Sequence, residues 1–449
     1  MLARFFKFRE NNTTLRTEIG AGLTTFLTMA YIVFLQPAIL SGKLFGMETG
    51  MDFGAVMTAT CLAAALATAL MGLLANYPIA QAPGMGENFF FVFTVIPAAG
   101  AAIAAHGWKG VEAWQVALGV VFISGVLFVL INLLRVRQIL IDAVSPSLKN
   151  GIAVGIGLFI AFIGLKNAGI VVNSSGTLVT LTEDLTSANV LVFGVGIAVT
   201  FFFLIRNIRG SFIWGIIAAL GVALILGKTR YGGIVDPPPS LSPTLFKMDI
   251  IHTVLSPDLW ALIIIFLFMD IFDTLGTLIG VAEQAGFIKN NRLPRAGKAM
   301  VSDAVGTVAG AVMGTSTVTS FIESSAGVAQ GGRTGFTSLV TAGFFLLTLF
   351  FSPLVKTVAE YSPITAPALV TVGALMCRNV VKIDWKDYSE YIPAFLVLLG
   401  IRIRNSIADG IAWGFISYPF LKVIAGRGKE CHWLIYLLGG LFVLRYIFL

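Results

Sequence analysis

Charge is what this sequence has least of. Of 449 residues, 12% are Asp, Glu, Lys or Arg, against about a quarter in a water-soluble domain. That scarcity excludes a soluble surface, a disordered chain and a coiled coil. Cysteine and histidine are as sparse, at three each. Cys61, Cys377 and Cys431 sit in or beside apolar runs and form no disulfide framework. His106, His252 and His432 are scattered near the ends of such runs without metal-ligand spacing. A phosphate-cradling loop followed by Lys and Ser or Thr is missing, which argues against ATP drive, and no arginine ladder of a voltage sensor occurs. The expectation is a protein that is not an enzyme and that carries no cofactor and no metal.

Apolar residues are abundant: 57% of the chain, with 36 Phe and 48 Gly, a mixture suited to lipid-facing bulk and close helix packing. The class is an all-α polytopic membrane protein, with the lipid bilayer as its surroundings. Apolar runs of spanning character cover 18–40, 54–75, 88–104, 113–135, 147–168, 190–206 and 211–227. After the polar stretch 228–258, with Pro237-Pro238-Pro239, they resume at 259–282, 298–314, 322–330, 337–359, 364–378, 391–401, 406–425 and 432–448. Whether 391–425 is one broken element or two helices is open, so the count is 14 or 15. The N-terminal stretch with Arg4, Lys7, Arg9, Glu10 and Arg16 is polar for too long to be a cleaved signal peptide.

The net charge of +7 is better explained by orientation than by nucleic acid. A cytoplasmic N-terminus in a cell (inner) membrane puts Arg135, Arg137, Arg206, Arg209, Lys289, Arg292, Arg295, Lys298, Arg333, Arg378, Lys382 and Lys386 on the inside. Lys228 and Arg230 are exceptions on the longest loop.

The two halves read alike: two full helices, a short segment broken by Gly or Pro, a full helix, then a segment opening on proline. Glu18 corresponds to Leu259, Asn88 to Glu323 and Pro146 to Pro367. Seven spans is an odd number, so such a repeat sits inverted, and inverted repeats with paired interrupted helices point to a secondary transporter. The expected units are 1–227 (first repeat), 228–258 (external linker) and 259–449 (second repeat).

The interruptions are where chemistry is expected. Tyr77-Pro78-Ile79-Ala80-Gln81-Ala82-Pro83-Gly84-Met85-Gly86-Glu87-Asn88-Phe89 predicts an extended crossing that turns helical near Asn88. Gly314-Thr315-Ser316-Thr317-Val318-Thr319-Ser320-Phe321-Ile322-Glu323 predicts another, with Ser320 and Glu323 at capping-box spacing. Two short helices then meet with their N-termini facing, where free N–H groups favour electron-rich ligand atoms. Asp270 and Asp273 stand at i and i+3 on one helix face. An aspartate at that depth costs at least ~2.5–3.5 kcal/mol and usually lines a pathway or a proton relay. Asp303, in Val301-Ser302-Asp303-Ala304, is read as a capping or packing residue or as a further member of this group.

These segments resemble the AzgA-like purine permeases of the nucleobase–cation symporter-2 family over nearly the whole chain. The resemblance rests on Arg16-Thr17-Glu18-Ile19, Thr24 to Tyr31, Ala82 to Gly86 with Asn88, Asp270-Ile271-Phe272-Asp273-Thr274 with Gly276-Thr277, Thr315 to Glu323, and Gly331-Gly332-Arg333-Thr334-Gly335. It implies 14 helices in two inverted repeats of seven. It also implies a core domain (18–135 and 259–359) moving against a gate domain (147–227 and 364–449), with import of hypoxanthine, guanine or adenine by proton symport. By resemblance, Glu323 and Asp270 contact the purine, with Asn88, Gly86, Phe89, Ser320 and Phe321 lining the pocket. Asp273, Asp270 and Glu323 are the coupling groups, and a homodimer is a candidate assembly. An anion transporter, or one for uracil or xanthine, is the second reading of the same architecture. Two departures stand out: Glu87, where relatives usually have an aliphatic residue, and Gly400-Ile401-Arg402-Ile403-Arg404-Asn405, where they carry an apolar, proline-containing stretch.

Overall fold

The computed structural model describes residues 2–134, 144–174, 178–288, 293–404 and 406–448. Arg135, Arg137, Lys289, Arg292 and Asn405 lie outside them. The helices are α1 Leu15–Leu40, α2 Phe53–Ala75, α3 Met85–His106, α4 Ala113–Leu133, α5 Pro146–Asn167, α6 Ala188–Ile205 and α7 Ser211–Ile225. They continue with α8 Pro257–Ala285, α9 Ala296–Met313, α10 Ser324–Ala329, α11 Gly335–Ala359, α12 Ala366–Cys377, α13 Tyr388–Arg404, α14 Ile407–Ile424 and α15 Trp433–Phe448. Among the described residues, nine helices are long and apolar enough to cross a membrane. Four short strands also occur among the described residues: β1 Gln81–Pro83, β2 Val171–Ser174, β3 Leu178–Leu181 and β4 Val318–Ser320.

Polar residues mark where helices begin. Thr14 caps α1, Asp52 α2, Ser145 α5 and Ser406 α14, each accepting a hydrogen bond from a backbone N–H of the first turn. α1 and α10 pack side by side, α11 covers α1 and α2, and α4 covers α8 and α9. In the other layer α6 pairs with α7, α13 with α14, and α5 packs between α12 and α13. Small residues permit the closest crossing: a Cβ on Gly335 would lie 2.0 Å from the Gly72 carbonyl oxygen. At one end of the second layer Lys422, 1% exposed, pairs with Glu390 at 2.9 Å and Glu430 at 3.3 Å, tying α13, α14 and the loop before α15 together.

Several boundaries differ from the sequence reading. α3 starts at Met85, three residues before Asn88, because Pro83 and Gly84 are the last residues that resist helix. The stretch 391–425 is two helices, separated where Ser406 caps α14. α13 continues through Arg402, whose guanidinium lies 3.3 Å from the centroid of the Phe162 ring on α5. The antiparallel β2–β3 hairpin was unforeseen; its residues are too few and too mixed for a periodic signal. The linker is no loose tether. Thr58 donates to the Pro239 carbonyl, Phe246 N–H to Val312 and Asp249 N–H to Gln115, and Ile250–Leu255 is helical.

Candidate functional site

The two interrupted segments meet as an antiparallel ladder, β1 with β4: Gln81 opposite Ser320, Ala82 opposite Thr319, Pro83 opposite Val318. All six residues are buried, beside Thr274 midway along α8 and Thr307 midway along α9. A buried extended backbone must find partners for its N–H and C=O groups. Here they come from the ladder, from Gly84 N–H to Thr317 O and Phe321 N–H to Ala80 O, and from hydroxyls. Thr68 accepts from Gln81 N–H at 2.8 Å, Ser324 from Ala80 N–H at 2.9 Å and Thr307 from Val318 N–H at 3.2 Å. The threonines that read as strand formers in sequence are therefore also the polar sockets of the crossing.

Glu323 is the N-cap residue of α10, without a side-chain bond to the helix it precedes. Its carboxylate instead accepts from the Tyr31 hydroxyl at 2.8 Å, and its carbonyl accepts from Thr28 at 3.4 Å. Ser320 takes no part in capping: it donates to Asp303 at 3.3 Å and accepts from the Gln81 amide at 3.1 Å. The expected capping box is absent because a buried carboxylate competes for the same hydroxyl.

Asp270 and Asp273 share a helix but not an environment. Asp270 is fully buried; Oδ2 accepts from Thr307 at 3.0 Å and Oδ1 has no partner. The Asp303 carboxyl on α9 is among the charges that bear on it. Asp303, also 0% exposed, accepts from Gln81 at 2.7 Å and leaves Oδ2 unpartnered. Asp273 is exposed, and its carboxylate accepts from Thr319 at 3.3 Å. It acts electrostatically on Glu323, Tyr31 and Glu87. Glu87, 3% exposed, stands in the first turn of α3.

Asn88 is committed to the protein. Its amide donates to Gln36 Oε1, its carbonyl accepts from Ser316, and Gln36 donates in turn to Thr315 at 2.9 Å. Gly86 faces α5, where a Cβ would meet Ile156 at 3.3 Å. Phe89 is fully buried among Phe45, Phe93 and Phe159, and Phe321 is 6% exposed. The sequence-level candidates thus gather around one ladder, with Asp273 and Glu323 at its accessible edge and Asp270 behind it. Tyr31, Gln36 and Gln81 were not singled out in sequence. The signal was an uncharged polar side chain inside an apolar run.

A helical bundle of this apolarity, with buried strands crossing at mid-helix and carboxyls gathered around them, defines a multi-pass membrane transporter. The chain belongs to the Permease family, whose Xan_ur_permease model matches residues 16–408. It is 50% identical to the putative permease MJ0326 of Methanocaldococcus jannaschii over 99% of this chain and 98% of that protein. It is 45% identical to the guanine/hypoxanthine permease PbuG of Bacillus subtilis, covering 99% of each. With the adenine permease AdeP of Escherichia coli it shares 40% over 100% of this chain and 96% of the relative. The fold is that of the transmembrane domain of the cyanobacterial bicarbonate transporter BicA, at a TM-score of 0.64 and 15% identity over 89% of this chain and 97% of that one.

Proposed function

We propose that this permease imports purine nucleobases (hypoxanthine, guanine or adenine) across the inner membrane by proton symport. The observation that carries the reading is the pairing of Glu323, oriented by Tyr31, with the exposed Asp273 at the edge of the β1–β4 ladder. A purine ring offers N–H donors to these carboxylates, and Phe321 supplies an aromatic face beside them. Whole-length identity to guanine/hypoxanthine and adenine permeases supports the same substrate class. Carboxylates without Lys or Arg partners suit a neutral, donor-rich heterocycle better than an anion.

The chain is read as two inverted repeats, 1–227 and 259–449, of the 14 spans that the resemblance implies, although the described residues form seven long helices before the linker and eight helices after it. The packing supports this: α2 against β1 is repeated by α9 against β4, α11 on α2 by α4 on α9, and α6–α7 by α13–α14. The core (18–135 and 259–359) moves against the gate (147–227 and 364–449), and the N-terminus is cytoplasmic. On α8 an exposed stripe leads from Asp273 through Gly276 and Ile279 to Glu283, whereas Phe266, Met269 and Asp270, on the same face nearer the helix N-terminus, are buried. That asymmetry describes a carrier open toward the cytoplasm.

Radiolabelled hypoxanthine, guanine and adenine offered to purine-transport-deficient cells test the reading. Saturable uptake of at least one is expected; none above vector, from protein present in the membrane, would overturn it.

A further inference from the structure

Glu87 is the one carboxyl of the site that neither the ladder nor a helix cap explains. It lies in the first turn of α3, 3% exposed, in the electrostatic field of Asp273 and Asp303. Among the described residues no Lys or Arg pairs with it and no other side chain donates to it. The backbone leaves room for its carboxylate: a Cβ on Gly84 would lie 2.2 Å from Glu87 Oε2. The opposite wall is polar and unsatisfied. Thr317, 0% exposed, accepts from Gly84 N–H through its carbonyl, yet its hydroxyl has no partner. By strand alternation that hydroxyl shares a face with Thr319, the donor to Asp273.

Four carboxyls, Glu87, Asp270, Asp273 and Asp303, therefore stand without a Lys or Arg partner among the described residues, and only hydroxyl and amide groups donate to the three aspartates. At membrane depth such a group needs cations to neutralise it. Asp270 and Asp303 are sealed behind Thr307, Gln81 and Ser320, their only donors among the described residues. Asp273 is exposed. Glu87 is left with a cradle, an idle hydroxyl and like-charged neighbours on α8 and α9.

We propose that Glu87 is a second proton-carrying carboxyl of this transporter, so that two protons, one on Asp273 and one on Glu87, accompany each purine. The inference rests on the proton-symport reading above. It makes this chain more concentrative than a carrier with an apolar side chain at the same position, because the accumulation limit rises with the square of the proton gradient rather than with its first power.

The test is the proton-to-purine ratio of the purified full-length protein in proteoliposomes, from labelled hypoxanthine, guanine or adenine uptake and an internal pH dye read together. A ratio of two is expected for the wild type, one for Glu87→Gln and for Glu87→Leu, and recovery toward two for Glu87→Asp. A wild-type ratio of one overturns the proposal whether or not any variant folds, and so does a Glu87→Gln ratio equal to that of the wild type. Purine uptake with no proton movement overturns the symport reading itself, a separate outcome from a ratio of one.

Discussion

Glu18 and Asp270 are both fully buried carboxylates, and the fold treats them in opposite ways. Glu18, on α1, reaches the start of α11 and accepts from Arg333 N–H at 3.0 Å, Thr334 N–H at 3.3 Å, Thr334 Oγ1 at 2.8 Å, Thr337 N–H at 3.2 Å and Thr337 Oγ1 at 2.6 Å. It caps a helix from another helix, and the positive end of that helix favours its charge. Asp270 has one hydroxyl donor, a second carboxyl beside it and an oxygen with no partner. Burial alone does not distinguish structure from function here; saturation with donors does. A saturated carboxylate holds helices together, and an unsaturated one has capacity left for a proton.

That contrast predicts separable phenotypes. The largest effect on transport is expected from Glu323→Gln and Asp270→Asn, each lowering uptake by roughly 10- to 10²-fold while the protein still inserts. Loss of a charge-assisted bond is worth about 1.5–3 kcal/mol, and each 1.4 kcal/mol is tenfold. Normal uptake in both variants, with normal surface levels, would remove the distinction. Glu18→Ala should do the reverse. It strands several buried donors, at a cost of roughly 2–4 kcal/mol in stability, so thermal melting in detergent falls while the KM of the surviving protein stays put. Asn88→Ala belongs between the two. It opens the Gln36–Ser316 brace and should lower melting temperature and uptake together, by about 1–3 kcal/mol of stability.

The smallest effect is expected at the ion cluster that joins α13, α14 and the loop before α15. Hydrogen bonds from Ser389 and then Arg427 hold Asp387 below its ordinary 3.8, at about 2, and Arg427 likewise lowers Glu430. A depressed folded-state value means that stabilisation is complete above about pH 5 and is lost as pH falls from there toward 2. Asp387→Asn should therefore cost no more than about 1 kcal/mol, by an amount constant from pH 5 to 8 and vanishing near pH 2. Melting curves of the two proteins that diverge between pH 5 and 8 would contradict this assignment. Its corollary is useful: pH dependence of transport in that window does not come from this cluster.

Much of this was legible in the sequence. Long apolar runs, two Pro- and Gly-broken segments and a few carboxylates inside them led to the ladder, to Glu323 and to the Asp270–Asp273 pair. Spacing alone did not tell the two aspartates apart, since i and i+3 share a helix face while exposure depends on what packs above it: Thr307 of α9 over Asp270, whereas Asp273 is left exposed. Glu18 and Asp303 show the same limit from the other side. Their roles are set by partners more than two hundred residues away or on a neighbouring helix, such as Thr334 and Thr337 for Glu18 and Gln81 for Asp303. No local pattern encodes them. Asn88, expected to line the pocket, bonds through its amide to Gln36 and Ser316, both hidden in sequence as ordinary polar residues.

The central claim is that unsaturated carboxyls at the β1–β4 crossing couple purine movement to protons. It is tested most directly by labelled purine uptake into proteoliposomes under an imposed inside-alkaline pH gradient. The account predicts concentrative uptake that collapses with a protonophore and is lost in Glu323→Gln but retained by whatever Glu18→Ala protein remains folded. Concentrative uptake that ignores the protonophore, or that survives Glu323→Gln, would contradict it.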